Sequence, residues 1–260
     1  MENSPPVQHL LAVVRAAVDA AQRQGGEVIL DDIEETMATL TPEALGLVPY
    51  AHAYISPPTT LPGYVRYLHL AQEATHSVGI FVLAPHGKIP CHDHPSMHVV
   101  SHVLYGAVKI TSYDRVAQGA SAAAPGGSRS SNRSASGCGA ASRMSWLDGG
   151  GFGGGGGSGP PQLATLRGSA WHSAPHTSRL TPSVANVHEL EAGRDGTAIL
   201  DVLIPPYDEG SGRECTYYRP EYEGSAATGG GGGGRVRLVP CTPGNEFRVV
   251  RGEFISPFPS

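Results

Sequence analysis

Two histidines separated by one residue stand in the segment CHDHP, at positions 92 and 94. In a β-strand the side chains alternate between faces, so His92 and His94 point the same way and Asp93 points the other way. Two imidazoles on one face can share a metal ion, whereas a single histidine is more often a core or surface residue. The pair therefore indicates part of a metal site that needs a third ligand from a distant segment.

His188, in the segment NVHEL, is the preferred third ligand because it lies in the next clearly β-rich region of the chain. His172 and His176 are rivals, although a proline and polar residues between and around them make their segment a poorer strand. His98 and His102 follow the first pair. For these two histidines we expect a role behind the ligands or at the surface.

A site of three histidines without a carboxylate would consist of neutral ligands only. Asp93 cannot join His92 and His94 because it faces away from both. A divalent ion in such a site keeps its full positive charge and has open positions, which suits a thiolate together with O2. Cys91, next to His92, is interpreted as a small buried residue rather than a ligand.

The elements that must position these histidines are short strands that follow a helical start. Two prolines open an amphipathic helix over residues 5–24, which a Gly-Gly pair ends, and Thr41 begins a helical turn over 41–47. Runs of β-branched and aromatic residues predict strands at 64–71, 76–85, 97–114, 162–168, 185–192, 197–207, 215–220, 235–240 and 246–254. Within 97–114 we expect two strands with a tight turn at Gly106. This pattern predicts an all-β barrel or sandwich.

Low-complexity segments divide the chain of 260 residues. We expect an N-terminal helical segment over residues 1–50 and a β domain over 51–260. A Gly/Ser/Ala-rich insert at about 116–162 and a Gly-rich loop at 224–234 interrupt that domain. Both carry few apolar side chains and are predicted to be disordered.

Charge and cysteine usage limit the partners and the compartment. The formal net charge of −5 argues against a general nucleic-acid binder. The four cysteines form no CxxC pair, which favours reduced thiols inside the cell. The N-terminus lacks the basic start of a signal peptide, and no segment is apolar enough to span a membrane. We expect a monomer in the cytoplasm, with the nucleus as the alternative compartment.

Several segments together resemble one family. IPCHDHPSMHVVSHVLYGAVKITSYD, NVHEL, AILDVLIPPY, CTYYRP and FRVVRGE are similar to the thiol dioxygenases of the plant cysteine oxidase and cysteamine dioxygenase group. The resemblance covers about 60–115 and 176–254, outside the glycine-rich insert. It implies a cupin, a double-stranded β-helix, that holds one Fe(II) ion on His92, His94 and His188.

The resemblance also assigns roles to residues outside the ligand set. Asp201 is expected to hold the free amino group of the substrate or to relay a proton, and Tyr207 to hydrogen-bond the reacting oxygen. The alternatives are a buried acid paired with an arginine and a tyrosine that packs at the barrel mouth. Cys215 and Tyr217 fall on a pair that some relatives cross-link.

The implied activity is iron-dependent oxidation of an N-terminal cysteine of a protein or peptide by O2, which gives cysteine sulfinic acid and leads to oxygen-dependent degradation. Two alternatives stay open. One is a dioxygenase for cysteamine or free cysteine, and the other is a metal-binding cupin without redox chemistry. The long insert, and His98 where relatives carry a small polar residue, are the departures from the family pattern.

Overall fold

The computed structural model of the protein describes residues 4–47, 55–56, 63–116, 159–223, 233–244 and 247–254. Within these ranges it has two helices, α1 (Pro5–Gln24) and α2 (Asp31–Ala38), and two short 3-10 turns, Glu43–Leu45 and Glu209–Ser211. The strands are β1 (Ile55–Ser56), β2 (Tyr64–Gln72), β3 (Ser77–Leu83), β4 (Lys88–Asp93), β5 (His98–Arg115), β6 (Gln162–Ser173), β7 (His176–Leu180), β8 (Val187–Ile204), β9 (Tyr217–Tyr222), β10 (Arg235–Cys241) and β11 (Arg248–Phe254). The predicted disorder of the insert and of the Gly-rich loop falls mainly on 117–158 and 224–232, outside the described residues.

The strands form one sheet in the order β1-β11-β2-β3-β8-β4-β9-β10-β6-β5-β7, and β5 also pairs with β8. That extra pairing closes a ring of six strands, β8-β4-β9-β10-β6-β5. Every strand of the ring contributes to one buried cluster, made of Cys91, Tyr113, Ala164, Leu166, Val187, Tyr218, Val236 and Leu238. The prediction of an all-β cupin with a short N-terminal helical segment is confirmed.

The two longest strands bend where the sequence predicted breaks. β5 and β8 pair from His98 opposite Ile204 to Tyr113 opposite Val187, with register shifts on both sides of Gly106. Gly106 has φ +78°, and a Cβ there would lie 2.1 Å from the carbonyl oxygen of Gly196, so only glycine fits this corner. The predicted tight turn at Gly106 is therefore wrong. β8 bends at the same point of the ladder and continues through it. The predicted strands 185–192 and 197–207 are therefore parts of one strand, β8.

The outer face of the sheet is covered by the N-terminal helices. α1 begins at the two prolines and ends at Gly25 with φ +63°, as predicted, and buries Val7, Leu10, Leu11, Val14 and Val18. α2 was not predicted, because its eight residues are mostly acidic and polar and bury only Ile33 and Met37. The helices share one core with outward-facing residues of β2, β3, β5 and β8. Among the described residues, no helix combines the length and apolarity that crossing a membrane requires.

Candidate metal centre

The structure brings the three predicted ligand histidines together. His92 lies on β4 opposite His188 of β8, and His94 follows the end of β4. The ring centroids are 4.7 to 4.9 Å apart, and one nitrogen from each ring lies within 4.8 Å of the others. Within the described part of the chain this is the one group of three or more histidine, cysteine or acidic side chains close enough to share a metal ion.

Hydrogen bonds fix the orientation of two of the rings. The Nδ1 atom of His92 lies 2.8 Å from the carbonyl oxygen of Pro90, so Nδ1 carries the hydrogen. The hydroxyl of Tyr207 donates to the carbonyl oxygen of Asp93 at 2.7 Å and therefore accepts from Nδ1 of His94 at 2.8 Å. In both rings the lone pair is then left on Nε2, the atom available for a metal. The Nε2 atoms of His94 and His188 are 3.1 Å apart.

Burial keeps the three histidines neutral. It lowers the pKa of His92 and lowers the pKa values of His94 and His188 well below the ordinary value, because an imidazolium inside the protein would lose its hydration. The neighbouring imidazoles lower the pKa values of His94 and His188 further. Neutral imidazole is the form that binds a metal.

Asp93 points away from the three rings, as strand alternation predicted. Its carboxylate accepts hydrogen bonds from Arg115, from the hydroxyl of Tyr218 at 2.9 Å and from the backbone N–H of Thr216 at 2.8 Å. Cys91 also lies on this side and is 2% exposed, in agreement with its interpretation as a small buried residue. The histidine cluster therefore has no carboxylate of its own from β4.

The rival histidines lie outside the cluster of His92, His94 and His188. His172 and His176 stack on each other with ring centroids 4.1 Å apart, and His176 begins β7, a segment predicted to be a poor strand. His102 was expected behind the ligands or at the surface, and this is wrong. It is 1% exposed on the outer face of the sheet, where its ring contacts Thr177 Oγ1 at 2.7 Å and the carbonyl oxygen of Leu40 at 3.2 Å. His98 is partly buried on that same outer face.

A cavity of about 310 Å³ lies beside His188 and reaches between the two halves of the β5–β8 ladder. His188 and Ser112 line it from one half, and Ser101 and Ile199 line it from the other. Side chains of β6 and β7 complete the lining, among them His172, Ser178, Arg167 and Arg179. Its walls combine apolar side chains with hydroxyl groups, a mixture typical of a ligand site.

Asp201 lies on β8 between Gly79 of β3 and Ser101 of β5, and it is 9% exposed. Burial raises the pKa of its carboxyl group to about 7, and a hydrogen bond with Ser101 opposes this rise. Its Oδ1 atom has no hydrogen-bond partner among the described residues. The alternative prediction for Asp201 was a buried acid paired with an arginine. Among the described residues that arrangement is found at Asp93, which pairs with Arg115.

Tyr207 lies behind His94 rather than in front of the ligand nitrogens. Its hydroxyl is hydrogen-bonded to Nδ1 of His94 and to the carbonyl oxygen of Asp93. These contacts differ from the predicted hydrogen bond between Tyr207 and the reacting oxygen. Cys215 and Tyr217 are close together, and the thiol hydrogen-bonds the hydroxyls of both Tyr207 and Tyr217. Burial raises the pKa of the Cys215 thiol to about 12.

Sequence reasoning missed two residues that hold the backbone around the histidine cluster. Asn186 donates from Nδ2 to the carbonyl oxygen of His94 at 2.7 Å, and Arg115 reaches both Asp93 and, at 3.4 Å, Oδ1 of Asn186. No local sequence pattern predicts these contacts, because Arg115 is 22 residues from Asp93 and 71 from Asn186. The register of the closed sheet creates them.

Comparison with known proteins identifies the family of the chain. The PCO_ADO family model matches residues 36–233. Human 2-aminoethanethiol dioxygenase is 30% identical over 217 residues, which cover 77% of this chain and 68% of that protein. Plant cysteine oxidase 1 of Arabidopsis thaliana is 33% identical over 200 residues, which cover 73% of this chain and 54% of that protein. The aligned part thus spans between about half and two thirds of these two relatives.

Among solved structures, the cupin domain of Schizosaccharomyces pombe Cnp3 aligns with a TM-score of 0.32 and 6% identity, covering 55% of this chain and 65% of that one. The family match takes in all three converging histidines together with Asp201, Tyr207, Cys215 and Tyr217. The chain therefore belongs to the PCO_ADO family of thiol dioxygenases.

Proposed function

We propose that the protein is an iron(II)-dependent dioxygenase that adds both atoms of O2 to the sulfur of an N-terminal cysteine in a protein or peptide. The thiolate R–S⁻ and O2 give the sulfinate R–SO2⁻. Sulfur loses four electrons and O2 gains four, so the reaction needs no other reductant. The observation that carries this proposal is a cluster of three buried, neutral histidines without a carboxylate from β4, one of which, His188, lines a cavity.

The residues at the cluster fit iron. Imidazole suits the later divalent transition metals, and two of the three rings are held with Nε2 free by Pro90 and Tyr207. Zinc would fit the same donors but has no redox chemistry. When bound to His92, His94 and His188, ferrous iron supplies the redox chemistry by which a thiolate and O2 react.

Asp201 supports a substrate with a free amino group. Its Oδ1 atom has no partner among the described residues, and its neighbour Ser101 lines the same cavity as His188. An ammonium group placed against this carboxyl group lowers the pKa of Asp201. The carboxylate that results forms a buried ion pair with the ammonium group. We assign Asp201 this binding role. The alternative, a proton relay, needs a pKa near the working pH, and the value of about 7 is compatible with it.

The cavity has room for more than the cysteine side chain. Its volume of about 310 Å³ exceeds what cysteamine fills and lies at the lower end of the range of about 300–1,000 Å³ found for small-molecule pockets. Half-exposed Arg167 and Arg179 lie at its edge, where residues after the cysteine would pass. Oxidation of a protein N-terminus would make the lifetime of that protein depend on O2 through the N-degron pathway.

The test combines iron analysis with mass spectrometry of a peptide that begins with cysteine. We expect the peptide to gain two oxygen atoms with matching O2 uptake, and the N-acetylated peptide to gain none because it lacks the ammonium group. His188→Ala should lose both iron and activity, whereas His9→Ala, an exposed change on α1, should keep both. Faster turnover of cysteamine or free cysteine would favour the small-thiol alternative. Bound iron without oxidation of any thiol would favour a non-redox cupin.

A thioether between Cys215 and Tyr217 is a second part of this proposal. Forming the C–S bond removes one hydrogen from the thiol and one from the tyrosine ring, with O2 as the acceptor. The contact between the two side chains supports it. After incubation with iron and O2, the peptide that contains both residues should lose the mass of two hydrogens. An unchanged mass after many turnovers would rule the cross-link out.

A further inference from the structure

An ion pair with a buried carboxylate and a partly exposed guanidinium lies directly behind the histidine cluster, on the opposite face of the strand that carries His92. Arg115 donates from Nη2 to Oδ2 of Asp93 and, at 3.0 Å, to the hydroxyl of Tyr218. The side chain of Asp93 is 4% exposed and that of Arg115 is 32% exposed. Because Asp93 stands between two of the histidines, any shift of its backbone moves both rings.

The carboxylate of Asp93 joins three strands of the closed ring. It belongs to the end of β4, it binds Arg115 at the end of β5, and it accepts from Tyr218 at the start of β9 at 2.9 Å. Asp93 and Thr216 are joined by two hydrogen bonds. The Asp93 N–H donates to the Thr216 carbonyl oxygen at 3.1 Å, and the Thr216 N–H donates to the side-chain Oδ1 of Asp93 at 2.8 Å. All of the hydrogen bonds that this carboxylate accepts from described residues therefore link β4 to neighbouring segments.

Arg115 also reaches the segment that precedes the third histidine. Its Nη1 atom donates to Oδ1 of Asn186 at 3.4 Å. Asn186 in turn donates from Nδ2 to the carbonyl oxygen of His94 at 2.7 Å, and its own carbonyl oxygen accepts from the His94 N–H at 3.2 Å. Asn186 is two residues before His188. One guanidinium group therefore links the backbone around His92 and His94 to the backbone that leads into His188.

We propose that Arg115 is a positioning residue for the metal centre, which acts through Asp93 and Asn186 to hold the three histidines at the separation that one ion requires. A planar guanidinium is suited to this role because its two ends can bind two acceptors at a fixed angle. Lysine, with a single ammonium group, can keep the charge next to Asp93 but cannot also serve Asn186. The inference rests on the proposed function for the presence of a metal.

The test measures metal affinity rather than turnover. Arg115→Gln and Arg115→Lys are titrated with Co²⁺, whose visible absorption reports the geometry of its ligands, and with Fe²⁺ under anaerobic conditions. We expect Arg115→Gln to weaken the affinity by about 10–100-fold, the usual effect of removing a group that orients metal ligands, and to change the Co²⁺ spectrum. Arg115→Lys should fall between Arg115→Gln and wild type.

The matched control is Arg219→Gln, next to Tyr218 on β9, where the arginine is 65% exposed and pairs with Glu221 at 3.0 Å. It should leave the affinity and the spectrum as in wild type. If Arg115→Gln does not fold because Asp93 is left as an unpaired buried charge, Asp93→Asn/Arg115→Gln removes that charge and is measured in its place. Wild-type affinity and spectrum in the folded variant would overturn the inference. Failure of the wild-type protein to bind either ion would overturn the proposed function instead.

Discussion

Raising the pH should increase the stability of Asp201→Asn relative to that of the wild type. Asparagine keeps the shape of the side chain but cannot ionise. In the folded protein burial raises the pKa of Asp201 to about 7, whereas in the unfolded chain it returns to about 3.9. Between these values the folded state keeps a proton that the unfolded state releases. The free energy of unfolding of the wild type therefore falls as pH rises through this window and levels off above it.

The size of the effect follows from the difference in pKa. A difference of about 3 units corresponds to about 4 kcal/mol in total, at about 1.4 kcal/mol per unit. About 2.5 kcal/mol of this is lost between pH 5 and pH 8. For a protein of this size, with about 2–4 °C in Tm for each kcal/mol, the Tm of Asp201→Asn should rise by about 5–10 °C relative to wild type over the same interval.

The assay is thermal unfolding of the metal-free wild type and variants from pH 5 to pH 8.5. Asp195→Asn is the matched control, because it makes the same change in the same strand at a site that is 64% exposed and paired with Arg194. The Tm of Asp195→Asn should follow wild type at every pH. A curve for Asp201→Asn that also runs parallel to wild type would refute the reasoning that this carboxyl group is held protonated by burial.

Two further predictions concern the groups around the site. Tyr207→Phe removes the hydroxyl that accepts from Nδ1 of His94, so Co²⁺ affinity should fall by about 10–100-fold while the fold is kept; wild-type affinity would contradict a role for Tyr207 behind the ligand. Gly79→Ala places a Cβ 2.3 Å from the ring of Tyr67, and urea unfolding should show a loss of about 1–3 kcal/mol. The same change at Gly168, a strand position where nothing lies within 4 Å, should cost less, and equal losses would contradict the steric explanation.

The pairing of His92 with His94 could be predicted because its signal is local. Alternation along a strand places His92 and His94 on one face and Asp93 on the other, and this follows from the period of two without knowledge of the fold. The choice of His188 over His172 relied on a β-rich neighbourhood, which proved to be the strand directly opposite His92. The arginine behind Asp93 had no local signal.

The errors at the bend have a different physical origin. Gly106 stands between two runs of strand-forming residues, and a tight turn and a β-bulge both need a glycine with positive φ at such a place. Only the partner strand distinguishes them, because a turn would pair β5 with itself, whereas the structure pairs both of its halves with β8. Composition cannot reveal that partner, so the break was correctly located but wrongly interpreted.

The chemistry of the centre depends on which face of one strand each residue takes. β4 and β8 form a wall between two compartments, with His92 and His188 on one side and Asp93 and Val187 on the other. A slip of one residue in β4 would turn every side chain to the opposite face and bring a carboxylate to the histidine side. Such a carboxylate would neutralise part of the charge of a bound ion, and a thiolate would then be attracted less strongly. Arg115 holds Asp93 on the far side by an ion pair, so an ion bound by the three histidines would keep its full charge to attract a thiolate.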